Sequence, residues 1–286
     1  MIEQSETLKR LILAAGLVAA VAVEAGVPLN GLQGNGGIAF NPLAYTAGRY
    51  AEEDEGEGGL EKWISLPQVG AWYVNLDDAN IDWVAASAAF SIAKRLELSY
   101  GYGFVKAPDY GDSSIGSHNL GVKFKFLDEN LGDNPWVPAL AVGSVWKYTD
   151  SKTVDAFGLD DNGFDFYLVA TKLITQTPIP VLISGGILYS DEVVNGVVGH
   201  NDYDTVFFWN ADILPAANVA VGVEYKQGVD AGDGIHNSDY WNGHAAWFVN
   251  DSLTLVAAYA DTGSKDKGFS DLGVGSGLVL SAQYAF

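Results

Sequence analysis

From about residue 72 onward the chain repeats one pattern that few architectures accept: segments of roughly ten to thirteen residues with an apolar or aromatic side chain at every second position. Leu96, Leu98, Tyr100, Tyr102 and Phe104 alternate with Glu97, Ser99, Gly101, Gly103 and Val105. Leu120, Val122, Phe124 and Phe126 alternate with Gly121, Lys123 and Lys125, and Val219, Val221, Val223 and Tyr225 with Ala220, Gly222, Glu224 and Lys226. Successive side chains of a strand point to opposite faces, whereas a helix would scatter these charges round its whole surface, so the period decides for strands. A soluble β-sandwich also alternates, but its solvent face carries Lys, Glu and Thr; here the second face is largely Gly, Ala and Ser. An oily face opposite a small, sparsely charged one suits a wall with lipid outside and a lumen inside.

The connections alternate as well. Short ones fall at 93–95, 128–135, 176–180, 215–216 and 250–251, and longer acidic, Gly-rich ones at 107–116, 149–162, 191–202, 230–238 and 261–272. Short turns on one rim and long loops on the other is the layout of a transmembrane, antiparallel up-and-down β-barrel with both ends on the periplasmic side. Counting back from Phe286 gives about twelve strands; Pro67 weakens the first, near 62–76, and leaves ten to fourteen open. The 14 Tyr, 13 Phe and 8 Trp fit the two aromatic girdles of such a wall.

The first residues read as an export signal. Lys9 and Arg10 precede the apolar run 11–23, and Val23-Glu24-Ala25 supplies a small-residue cleavage site. That run is too short to span a bilayer as a helix. The expected organisation is a signal peptide over 1–25, a Gly-rich and then acidic segment over 26–60, and the barrel over 61–286. The last strand, LVLSAQYAF, ends on an aromatic residue with another two positions earlier, Tyr284 and Phe286. In this ending the chain resembles Gram-negative outer-membrane β-barrel proteins of porin-like type. The resemblance implies an outer-membrane location, contact with lipid and lipopolysaccharide, and recognition of Tyr284 and Phe286 by the barrel-assembly machinery.

Residues 26–60 break the strand pattern, running from Gly-rich and apolar to the acids Glu52, Glu53, Asp54, Glu55 and Glu57. Its stretch LNGLQGNGGIAFNPLAY resembles the mature N-terminus of an uncharacterised group of proteobacterial outer-membrane proteins, which implies no activity. Two readings stay open: a periplasmic tail, or a plug in the room that inward Gly and Ala leave.

Charged residues at inward parity are the candidate lumen lining: Glu97, Lys123, Lys125, Lys147, Asp165, Asp204, Asp212, Glu224, Lys226 and His244, with Asn242 beside them. Their inward assignment follows from energy, since a base at the lipid midplane costs about 2–4 kcal/mol. Such residues either select solutes or brace the wall as ion pairs. The pairs His236/Ser238 and Ser117/His118 have no evident orienting partner for a hydrolase. Acid clusters at 160–163 and 230–234 lack the twelve-residue Ca²⁺ loop with its closing Glu, and bases are too few for nucleic acid. Nothing implies a cofactor or a resident metal. With a formal net charge of -21, the chain reads as a passive channel for a small cationic or neutral solute. The alternatives are a plugged structural or adhesive barrel and, behind both, a barrel-wall hydrolase.

Burial of one interfacial ring is worth only about 1.5–3 kcal/mol, so Phe286 is expected to matter for assembly more than for final stability. Deleting it should leave protease-sensitive chain in the periplasm; normal outer-membrane levels with heat-modifiable gel mobility would contradict the reading.

Overall fold

The computed structural model describes residues 28–50, 59–108, 113–150, 158, 160–196, 202–232 and 234–286. The expected export signal and the acids at 52–57 lie outside them. The alternating segments form twelve antiparallel strands closed into one barrel: β1 Gln68–Leu76, β2 Ile81–Ile92, β3 Leu96–Ala107, β4 Ser113–Leu127, β5 Ala139–Thr149, β6 Asn162–Ile174, β7 Val181–Ser190, β8 Asp204–Ala216, β9 Val219–Lys226, β10 Tyr240–Phe248, β11 Leu253–Asp261 and β12 Ser276–Ala285. Every strand pairs with its neighbours in sequence, and β12 pairs with β1 from Leu278↔Asn75 to Ala285↔Gln68. That seam removes the two edges that hydrocarbon would leave without hydrogen bonds. It is finished by the Phe286 N–H donating to the Pro67 carbonyl at 3.2 Å.

Pro67 sets the start of the wall. Proline cannot donate to a ladder, so β1 begins one residue later, at Gln68, and the barrel starts after the boundary at 61 that the pattern suggested. Residues Leu60–Lys62 form a 3-10 turn instead. A second proline, Pro215, sits where the β8–β9 register shifts between Ile213 and Ala216, a bulge at the end of the strand. One connection departs from the alternation: β1 and β2 are joined on the long-loop rim by the short turn Asp77–Ala79 with Asn80 in the left-handed region.

The outer face is the oily one. Leu120, Phe124, Ile187 and Phe207 stand 45–51% exposed around the wall. Near the long-loop rim, Tyr225 and Trp241 pack with centroids 4.4 Å apart and Tyr189 stacks on Tyr203 at 4.9 Å. At the other rim Tyr284 and Phe286 meet edge to face at 4.9 Å. Apolar side chains around the outside, aromatic rings at both depths and a closed ladder are the marks of an outer-membrane β-barrel.

This layout places the long connections outside the cell. A protease site inserted at Gly268, in the β11–β12 connection, should be cut on intact cells, and one at Asn250, in the β10–β11 turn, should be protected. Equal protection of both would overturn the topology.

Candidate functional site

Twelve strands enclose more volume than Gly, Ala and Ser side chains can fill. Residues 28–50 take up that volume. The segment enters at the short-turn rim, where Gln68 Nε2 donates to the Pro28 carbonyl at 2.8 Å. It climbs past the middle of the barrel and returns to the same rim, where the Lys94 N–H donates to the Tyr50 hydroxyl at 2.7 Å. Leu29, Leu32, Ile38 and Leu43 are buried with Trp72, Val74 and Trp83 of the wall. Glycine on both sides permits the closest approach. A Cβ on Gly101 would stand 2.5 Å from the Gln33 carbonyl oxygen, and Gly34, at φ +94°, would set one 2.6 Å from the Tyr100 backbone. These contacts explain why the second face of the strands is so poor in bulk.

The segment bonds itself in one two-pair ladder and in turns such as Gly31 N–H to the Asn35 carbonyl and Leu43 N–H to the Gly36 carbonyl, and its other backbone polar groups need partners from the wall. Inward side chains supply them in two clusters, and a third cluster meets the segment through the Gln33 side chain. Near the short-turn rim, Glu97 on β3 faces Lys123 on β4 across the ladder at 2.9 Å. Glu97 also accepts the N–H groups of Gly36 at 2.8 Å and Ala47 at 2.7 Å, while Lys123 donates to the Gly36 carbonyl at 2.8 Å.

At mid-barrel the carboxylate of Glu224 on β9 accepts three consecutive backbone N–H groups, from Ala39 at 3.3 Å, Phe40 at 3.0 Å and Asn41 at 2.6 Å. Asn242 on β10 gives its amide N–H to the same carboxylate and turns its oxygen to His244 Nδ1. His244 Nε2 meets Asp212 on β8 at 2.6 Å. β9 runs between β8 and β10, and it carries Gly222 where these two side chains cross it; a Cβ there would stand 2.2 Å from Asp212 Oδ1.

The third cluster lies toward the long loops and holds a residue that the strand pattern did not single out. Glu192, two residues past the end of β7, belongs to the connection at 191–202 that the sequence placed outside the barrel. Its first part turns inward instead: Glu192, Val193 and Asn195 are buried. The Glu192 carboxylate pairs with Lys147 on β5 at 2.9 Å and with Lys226 on β9. It also accepts Gln33 Nε2 at 3.2 Å and the Gly196 N–H at 3.3 Å. Lys147 pairs further with Asp165 on β6 at 2.7 Å. One segment from the short-turn side and one from the long-loop side therefore meet at Gln33 and Glu192. Beside them the void bounded by Leu32, Phe40, Trp83, Val194 and Tyr240 measures about 10 Å³, the lower limit for a single water.

The remaining inward candidates lie at the rims. Lys125 is 3.0 Å from Asp128, which Arg95 also holds at 2.5 Å. Partial burial works to raise the Asp128 carboxyl pKa, and the two bases outweigh it and hold it below the usual range. Asp204 accepts the N–H groups of Thr205 at 2.6 Å and Asp230 at 3.2 Å. Also missed were the short-turn-side anchors Thr171, whose hydroxyl accepts the Ala44 N–H at 2.8 Å, and Glu129, which accepts from Tyr45 at 2.8 Å. Burial, then the Glu129 charge, push the Tyr45 phenol well above its ordinary range, so it keeps its proton and donates. Nothing in a strand pattern marks such partners, because they are defined by where the plug's backbone passes.

Neither hydroxyl–imidazole pair is assembled. Ser117 faces inward while His118 lies outside against Tyr100 and Tyr102. His236 bonds the Asn237 carbonyl, and Ser238 bonds Asp271.

Removing the Glu224 side chain leaves three buried N–H donors without an acceptor, at about 1–3 kcal/mol each. Glu224→Ala should therefore speed amide hydrogen exchange at residues 39–41 by at least a hundredfold while strand amides stay protected; unchanged exchange there would show that the carboxylate does not hold the segment.

Several solved outer-membrane barrels are similar to the chain at low identity. The NanC porin matches at 9% identity over 77% of this chain and 98% of its own, with a TM-score of 0.48. The COG4313 outer membrane channel from Pseudomonas putida F1 matches at 11% over 82% and 98%, with a TM-score of 0.46. Acinetobacter baumannii Omp33 matches at 10% over 79% and 100%, with a TM-score of 0.40. No curated protein matches the chain. Residues 26–279, which include the plug and nearly the whole wall, fit the family described as "Protein of unknown function (DUF3034)", and the chain belongs to that family.

Proposed function

We propose that this outer-membrane barrel is a passive conduit for small cationic or neutral solutes, held closed by residues 28–50 from the periplasmic side and 191–196 from the outer side. The observation that carries the reading is the seating of the plug on Glu224. Three N–H groups rest on one carboxylate, an attachment that a local change in charge or a pull on the segment can release without breaking the wall. Polar contacts at three depths hold the plug in addition to its apolar packing.

Cation preference follows from the lining. Glu97, Asp165, Glu192, Asp212 and Glu224 are buried in a lumen whose buried bases are Lys123, Lys147, Lys226 and His244, and the long connections add many more acids. Such a field raises the local cation concentration and excludes anions, more so at low salt, where the Debye length grows from about 8 Å to about 30 Å at 0.01 M. The reading includes no catalytic step and no cofactor. Its partners are the solute, outer-membrane lipid with lipopolysaccharide, and the assembly machinery that would read Tyr284 and Phe286.

Planar-bilayer recording tests it. The intact barrel should be nearly silent, and deletion of residues 28–50 should give a steady conductance whose reversal potential in a salt gradient is cation-selective. The full-length Glu97→Ala/Glu224→Ala double variant, which keeps the segment in the chain, should open in bursts. Anion selectivity would overturn the cation assignment, and silence of both variants would leave a plugged structural barrel as the better description.

A further inference from the structure

The third cluster is short of positive charge. Asp165, Asp191 and Glu192 are each at least 97% buried, against the two buried ammonium groups of Lys147 and Lys226. Both lysines bind Glu192, and Lys147 also takes Asp165 Oδ1. The other oxygen of Asp165, Oδ2, and Oδ1 of Asp191 have no hydrogen-bond partner among the described residues. A buried carboxylate oxygen that faces neither water nor a donor is costly, so two such oxygens in one place call for an explanation.

The two carboxylates lie over the same inner face of β6. The Asp191 carboxylate lies over Gly163, its oxygens 2.7 and 3.0 Å from where a Cβ would be. Gly163 precedes Asp165 by two residues and shares its inner face of β6. Ser190, immediately before Asp191, donates to Asp165 at 2.5 Å and fixes their mutual approach. Burial raises the Asp191 carboxyl pKa; Lys147 opposes this, and Asp165 and Asp160 reinforce it. The cluster lies just beneath the long-loop rim, where Asn162 and Ser190 are the terminal residues of their strands.

We propose that the unpartnered oxygens of Asp165 and Asp191 form a binding site for a primary ammonium group arriving from the outer side. An ammonium brings one positive charge, which balances three carboxylates against two lysines, and three N–H donors in a compact head. Calcium suits the site poorly: it takes six to eight oxygens, and among the described residues no three His, Asp or Glu side chains are grouped to hold a metal. This inference rests on the reading of the lumen as a cation path and names the class of cation.

The test is isothermal titration of the full barrel in detergent micelles, near neutral pH and low salt, with ethylammonium chloride. Tetraethylammonium, which has the charge but no N–H donor, and calcium chloride are the comparison probes. Ethylammonium should bind saturably at one site, and Asp191→Asn should weaken it at least tenfold. Asp251→Asn, in the exposed β10–β11 turn at the other rim, should leave it unchanged. Asp191 makes no ion pair among the described residues, so its variant should keep heat-modifiable mobility; Asp165→Asn, which loses a lysine partner, is the second arm and should weaken binding as well. Absence of saturable binding, binding unaffected by Asp191→Asn, or equal or tighter binding of tetraethylammonium or calcium would each overturn the proposal. Binding is read without current, so silence of both plug variants in the bilayer with ethylammonium binding intact counts against the conduit alone, and conduction without binding counts against the site alone.

Discussion

In a medium without water every backbone N–H and C=O must find a partner within the protein, and this one requirement shapes both the wall and its contents. In the wall it is met by closure: each strand bonds two neighbours, and the β12–β1 seam leaves no edge. Inside, the plug meets it differently. Residues 28–50 have almost no ladder of their own, so Glu97, Glu224, Thr171, Gln68 and Gln283 act as acceptors and donors for a passing backbone. Polar side chains at inward positions are therefore part of the fold of the N-terminal segment, in addition to whatever they do for a solute.

The charges in the lumen are tolerated because they are paired and bonded. Taking an ion from water into a buried site costs several kcal/mol, and the attraction of a partner offsets this only when geometry is good and the remaining lone pairs are filled. Glu97 with Lys123, and Glu192 with Lys147 and Lys226, meet that condition through further backbone and amide contacts. Asp165 and Asp191 meet it less completely. Their unpartnered oxygens lie near the long-loop mouth of the barrel.

The two inward segments differ in how they are held. The plug is anchored along its length, from Pro28 at one end to Tyr50 at the other, with apolar packing in between. The 191–196 stretch is held mainly through one carboxylate and its two lysines, with Asn195 and the Asn237 amide as support. They meet at Gln33 and Glu192, so a shift of either segment removes a donor or an acceptor from the other.

The alternation of residues such as 96–105 and 219–226 determined the strands and their inward and outward faces, because a period of two converts composition directly into which side chain meets lipid; it left ten to fourteen strands open, and closure settles the number at twelve. It also placed Glu97, Lys147, Asp165, Asp212 and Glu224 inside. Parity alone could not tell a residue deep in the lumen from one at a rim, which is why Lys125 and Asp204 shared a list with Glu224. Nor could it tell whether residues 28–50 enter the barrel, what Glu224 binds there, or that Glu192 leaves its loop to join two lysines on distant strands. Those features depend on contacts between segments far apart in the chain, fixed only once the wall has closed and its Gly and Ala faces have left a space that the remaining backbone can fill.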